Sequence, residues 1–202
     1  RHTQLRAIVN KAFTSRTLKH MEAEVASLVE ELLDDMAGKT VIDISEDFTI
    51  PLPVYIIARL MGIPEDRAED FKRWSDALTG TSEAASLEER LPDIMEMATY
   101  FGSLIPERRE NPGDDLISKV VQAEVDGVGI SDEDIVGFNI LLLIAGNETT
   151  TNLLSNLLNH LADHPEKWDE LRDNPDKIEA AVEETLRFDG PGGFTLPLTE
   201  LR

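Results

Sequence analysis

Apolar residues recur along this chain at spacings of three and four, the repeat of an amphipathic helix. Val25, Leu28, Val29, Leu32, Leu33 and Met36 form one such stripe, and Gly38 ends it. Residues 40–44 alternate instead and predict one short strand. A helix over 53–61 stops at Gly62, with Pro64 beyond it, and Phe71, Trp74 and Leu78 mark the next. The polar run 79–86 reads as a loop. Leu87, Leu91, Ile94, Ala98, Phe101, Leu104 and Ile105 then mark a long helix closed by Asn111-Pro112-Gly113. Leu116, Ile117, Val120 and Val121 lie on a shorter one that ends near Gly127 and Gly129.

The following helix is the informative one. Ser131 with Asp134 resembles a capping box, and helical pattern runs from there to about Ala162. That is roughly 30 residues, or about 45 Å at the helical rise, against a usual three or four turns. Pro165 opens a short helix with Trp168 and Leu171. Asn174 is placed to cap another, with Pro175 in its first position and Ile178, Ala181, Val182, Thr185 and Leu186 as its inner face. Gly190-Pro191-Gly192-Gly193 stops it, and residues 194–198 suit the start of a strand. The fold expected is mainly α, with a long central helix and minor β.

Composition narrows the picture. The 202 residues suffice for one or two domains, and 41% hydrophobic content fits a globular chain. No apolar run approaches the roughly 20 residues of a membrane span, so a cytoplasmic, membrane-free protein is the simplest expectation. There are no cysteines, which excludes disulfides and Cys-based metal sites within the chain. A net charge of −21 argues against nucleic acid as a partner. The charge is uneven: Arg1, Arg6, Lys11, Arg16 and Lys19 fall among the first 20 residues, which hold no acid. Such a basic patch on an acidic body could steer an acidic partner.

Candidate chemistry concentrates on the central helix. At about 100° per residue, Phe138, Leu142, Ala145, Thr149, Asn152 and Asn156 share a face. Leu153, Leu154, Leu157, Leu158 and Leu161 share another, which reads as core. The first face turns from apolar to polar at Ala145-Gly146-Asn147-Glu148-Thr149-Thr150. Gly146 costs about 1 kcal/mol relative to Ala in a helix interior, Glu148 brings a charge into an apolar run, and Thr149 and Thr150 can bond back to carbonyls and bend the helix. Several local rules broken at one point suggest a site. A glycine admits a flat ligand, and an alcohol beside a carboxylate can relay protons. On spacing alone, a buried helix emerging into solvent stands ahead of that account. Glu184 and Arg187, three apart, read alone as a surface ion pair. His2 and Arg6, four apart, offer two donors to carboxylates but read alone as a basic helix face. His160 and His164 share a face without a third ligand nearby, so metal binding is not expected.

In this order and spacing, the segments resemble the bacterial soluble branch of the cytochrome P-450 family. His2-Thr3-Gln4-Leu5-Arg6 through Ala12-Phe13-Thr14 is similar to the family's early haem-facing helix, and Gly113-Asp114-Asp115-Leu116-Ile117-Ser118 to the segment that leads toward its central helix. Ala145-Gly146-Asn147-Glu148-Thr149-Thr150 resembles the oxygen-binding signature, and Glu184-Thr185-Leu186-Arg187 the E-x-x-R motif. The resemblance implies a helical core with a small sheet region, haem b against the central helix, reductive activation of O2, and insertion of one oxygen atom into a small organic substrate. It also implies a ferredoxin-type electron donor, for which the Arg6 to Lys19 patch would be a dock. By the same carry-over, His2 and Arg6 contact the haem propionates and Ala145 and Gly146 give the ring and O2 room. Glu148 and Thr149 deliver protons, Glu184 and Arg187 brace the haem-side core, and Phe138, Leu141 and Leu142 wall the substrate.

The chain departs from the family in one decisive respect. The family holds its iron through a cysteine thiolate, in a loop well after the E-x-x-R helix, and this chain has no cysteine. Residues 1–202 are therefore expected to be an internal, partial domain, running from the early haem-facing helix to just past the E-x-x-R helix. The segment 194–202 fits the family pattern poorly. The alternative is a non-catalytic helical binding or scaffold protein built on the same core.

Overall fold

The computed structural model describes residues 15–80, 86–125 and 128–191. Among them are eight α-helices: α1 (Ser15–Met36), α2 (Pro51–Leu60), α3 (Ala68–Thr79), α4 (Leu87–Glu110), α5 (Leu116–Val121), α6 (Asp132–Asp163), α7 (Pro165–Asp173) and α8 (Ile178–Phe188). Strands β1 (Glu124–Val125) and β2 (Val128–Gly129) pair antiparallel. The fold is mainly helical, as its periodicity predicts.

The central helix α6 starts where the sequence places it. Ser131 is its N-cap, and the hydroxyl accepts from the Asp134 amide at 3.3 Å. Asp132, Glu133 and Asp134 fill the first turn, where the helix dipole favours acids. At α4 the capping box is complete: the Ser86 hydroxyl accepts from the Glu89 amide and the Glu89 carboxylate accepts from the Ser86 amide.

The main core lies between α2, α3, α4, α5 and the first half of α6. Ile57, Phe71, Trp74, Phe101, Ile117, Ile135 and Leu143 are buried in it. Phe71 meets Phe101 edge-on at 6.2 Å, and Trp74 lies 5.2 Å from Tyr100. The Arg67 guanidinium covers Tyr100 at 4.8 Å. Beside it Arg73 joins Asp70 of its own helix to Asp93 and Glu96 of α4. Those carboxylates hold the Arg73 guanidinium more strongly protonated than usual, and the guanidinium in turn keeps Glu96 below the ordinary carboxylate range. A smaller cluster joins Leu28 and Leu32 of α1 to Leu52 of α2, with Leu154 packed against it.

Four expectations are corrected. Residues 40–44 are not a strand; they bend into a π-helical turn, Ser45–Thr49. Side chains outcompete a ladder there: Asp43 accepts from the Ser45 and Glu46 amides, and Asp47 accepts from the Asp43 amide and from Lys39. Helix α5, expected to end near Gly127 and Gly129, stops at Val121, and the paired strands β1 and β2 follow it. Asn174 does stand at the N-cap position, with Pro175 next, of the 3-10 turn that leads into α8, but its side chain makes no cap bond; its amide donates back to the Glu170 carbonyl at 2.9 Å and closes α7. The inner face expected of α8 is mostly uncovered, for only Thr185 is buried while Ile178 is 49% and Leu186 40% exposed. The segment 194–198 lies outside the described residues.

Candidate functional site

The central helix carries two opposed faces through its middle. Ile135, Asn139, Leu143 and Asn147 recur every four residues and are buried. The opposite face bears Leu141, Ala145, Glu148 and Thr149, all exposed, Leu141 at 61%. A helix whose other side sits in the main core thus presents an open strip that is apolar and small at one end and polar at the other.

The predicted residues of the central helix can each be placed. Thr149 donates its hydroxyl proton to the Ala145 carbonyl at 2.7 Å, the back-bond expected of it, so its lone pairs face outward. Glu148 is exposed and has no hydrogen-bond partner among the described residues, so no direct bond links it to Thr149. Gly146 is half-buried, and a Cβ there would stand 2.6 Å from Cδ1 of Ile57. That glycine lets α2 approach the central helix, a packing role that spacing alone did not reveal. Of the substrate-wall residues, Leu141 is on the open strip, whereas Phe138 and Leu142 are partly buried against the main core. His2 and Arg6 lie outside the described residues.

Two neighbours of the site were not anticipated. The Asn147 amide donates to the Ser75 hydroxyl inside the molecule, and Thr151 donates to the Asn147 oxygen at 3.2 Å. The polar turn is therefore tied to α3 on its buried side. Asn139, fully buried, has neither amide atom hydrogen-bonded.

Glu184 and Arg187 meet as a fork: Nε to one carboxylate oxygen at 2.8 Å and a terminal nitrogen to the other at 2.6 Å. The guanidinium holds the Glu184 carboxyl below its ordinary range, and the carboxylate raises Arg187 in turn. Both side chains are more than 60% exposed. Their helix is held to the second half of the central helix, where the Asn152 amide donates to the Pro191 carbonyl and the Asn156 amide to the Asp189 carbonyl.

The family's signature now has its geometry: a long central helix with the open Ala145–Thr149 strip, followed by a forked Glu-x-x-Arg pair. The cytochrome P-450 family pattern matches residues 86–197, more than half of the chain. The chain belongs to the cytochrome P-450 family. It is 41% identical over 195 residues to erythromycin C-12 hydroxylase of Saccharopolyspora erythraea, covering 94% of this chain and 49% of that one. The crystal structure of CYP109E1 from Bacillus megaterium in complex with corticosterone superposes with a TM-score of 0.84 at 42% identity, over 92% of this chain and 51% of that one. The Bacillus subtilis cytochrome P-450 PksS superposes at 0.85 with 39% identity, over 93% and 48%. The chain thus spans about half the length of the curated relatives it matches.

The fit to haem is one-sided. The open strip of Leu141 and Ala145 suits a flat apolar ring, and Thr149 borders it with a hydroxyl. No residue of this chain can supply the family's thiolate. Among the described residues no cluster of His, Asp or Glu could hold a metal instead. The large open groove, about 740 Å³, lies elsewhere, beyond Ser155 along the central helix, between Ile44, Leu158, Leu161 and Trp168. No described helix is long and apolar enough to cross a membrane.

Proposed function

We propose that this chain forms the oxygen-side half of a haem-dependent monooxygenase that inserts one atom of O2 into a small organic substrate. The observation that carries the reading is the open strip Leu141–Ala145–Glu148–Thr149 on a helix whose opposite side is buried, in a chain of this family. Haem b held by a cysteine thiolate supplies reductive activation of O2 when bound, and that thiolate comes from outside these residues. Ala145 and the backbone at Gly146 border the ring, with His2 and Arg6 as donors to its propionates. Leu141, with Phe138 and Leu142 behind it, forms an apolar wall for substrate. Corticosterone in the Bacillus megaterium relative exemplifies the class. Electrons come from a ferredoxin-type donor docked by the basic segment.

Thr149 is the proton-handling residue. Its outward lone pair accepts a hydrogen bond from water, and when the bond to the Ala145 carbonyl switches the hydroxyl would pass its own proton to an acceptor on the open strip as the water proton replaces it. Glu148, solvent-reached and adjacent in sequence, takes up protons for it. Thr149→Val keeps the shape and removes the hydroxyl. In the haem-loaded protein containing this chain, substrate and haem binding survive while product formed per NAD(P)H consumed falls, because positioned proton transfer contributes on the order of 10²–10⁴-fold to a rate. Unchanged coupling makes Thr149 a packing residue and sinks the assignment. The alternative is a non-catalytic helical binding or scaffold protein built on the same core. A parent protein that takes up no haem in the same experiment would decide for it.

A further inference from the structure

The polar face that follows Thr149 is occupied. Asn152, Asn156 and His160 stand four residues apart, about 6 Å per step along one side of the helix. The Asn156 amide donates to the Asp189 carbonyl at 2.9 Å, and the Asn152 amide to the Pro191 carbonyl at 3.3 Å. His160 Nε2 lies 3.3 Å from the Asp189 carboxylate without a hydrogen bond to it, and its ring packs edge-on against Phe188 at 5.6 Å. Three successive turns of the central helix therefore grip residues 188, 189 and 191 in antiparallel order.

We propose that Asn152, Asn156 and His160 are positioning residues, a clip that fixes the path by which the chain leaves the Glu184–Arg187 helix. The end of that helix needs one. A helix terminus leaves carbonyls without partners, and a left-handed glycine commonly closes it. Gly190 is not among the positive-φ glycines. Instead the chain turns so tightly that a Cβ at Gly190 would stand 2.8 Å from the Leu186 carbonyl oxygen. The carbonyls just past the helix end are then met by side-chain amides from another helix. Asparagine suits the task, being short and bearing an N–H donor that a carboxylate of the same shape lacks. Asn152 is three residues past Thr149, so the clip anchors the departing backbone within one turn of the proton-handling residue. This last consequence rests on the proposed function; the clip itself does not.

The test uses the full chain. Asn152→Asp with Asn156→Asp preserves shape and removes both donors. Two hydrogen bonds of about 1 kcal/mol each predict a rise of roughly 10- to 30-fold in chymotryptic cleavage after Phe188, with amide exchange at residues 97–105 unchanged. Asn156→Gln, which keeps an amide donor, restores part of the protection. Asn159→Asp, an equal charge change at an exposed position, leaves cleavage at the parental rate. Cleavage within twofold of the parent in the double variant, or faster exchange throughout the core, overturns the clip. In the haem-loaded protein the same pair lowers product per NAD(P)H. If cleavage rises while that coupling holds, the clip stands and its link to oxygen chemistry falls.

Discussion

Two tryptophans divide this molecule. Trp74 on α3 is fully buried, between Phe71 and Tyr100 and beneath Arg67, while Trp168 on α7 is 49% exposed at the rim of the open groove. Both mark amphipathic helices in the sequence. The difference lies in what surrounds them. Five helices converge on the first, whereas α7 has no buried residue and α8 has only Thr185. One half of the structure is closed by its own apolar packing; the other is held by polar ties, the amides on Pro191 and Asp189 and the ion pairs around Glu170. The open strip of the central helix lies near the junction, where the buried face Ile135–Asn147 ends. In a family whose members are about twice this length, the exposed apolar faces of the second half are those with surface left to cover.

The sharpest way to break this comparison is to truncate both tryptophans. Trp74→Ala removes the largest fully buried side chain and should cost about 3–5 kcal/mol. Trp168→Ala should stay within about 0.5 kcal/mol, as surface substitutions do. Urea denaturation of the two variants measures both. A Trp168→Ala cost near that of Trp74→Ala would mean the groove is closed in solution and the halves are alike.

The junction can be sharpened next, at Gly146, where the structure adds most to the sequence. The central helix was legible because its 3.6-residue pattern and Ser131 cap are local, and it is found at Asp132–Asp163. The polar turn was legible as a broken pattern, and the back-bond of Thr149 follows from its residue type. The partners were not. Nothing within the helix shows that Gly146 faces Ile57, that Asn147 reaches Ser75 across 72 positions, or that Asn152 and Asn156 hold residues 189 and 191. Residues 40–44 misled because alternation reports a pattern, while Asp43 and Asp47 decide the backbone through their own hydrogen bonds. For Gly146 the contact predicts non-additivity. Gly146→Ala should destabilise the parent, because overpacking costs roughly 1–3 kcal/mol against about 1 gained in helix propensity. With Ile57→Val, which deletes the opposing Cδ1, the same change should stabilise. A double-mutant cycle should return a coupling of about 1–3 kcal/mol, and strictly additive effects would remove the close approach.

The smallest effect separates the polar ties of the second half from the packing of the first. Glu170 on α7 accepts from Lys177 at 2.7 Å and from Lys167 at 2.9 Å, and these two ammonium groups, Lys177 foremost, pull its carboxyl from 4.5 down to about 2. A carboxylate depressed in the folded state supports folding above its ordinary value. That support is lost as pH falls from 4.5 toward 2, when the folded-state group takes up its proton. Lys177 sits in the turn just before α8, so this tie joins α7 to the E-x-x-R helix. Lys177→Gln should raise the Glu170 midpoint toward 4.5, read by NMR titration of its side-chain carbons. Because the group is solvent-exposed, the pair should weaken with salt, while the Trp74 core stays indifferent to ionic strength. If Glu170 still titrates near 2 in Lys177→Gln, Lys167 alone holds it and the tie between α7 and the following helix is not made through this carboxylate.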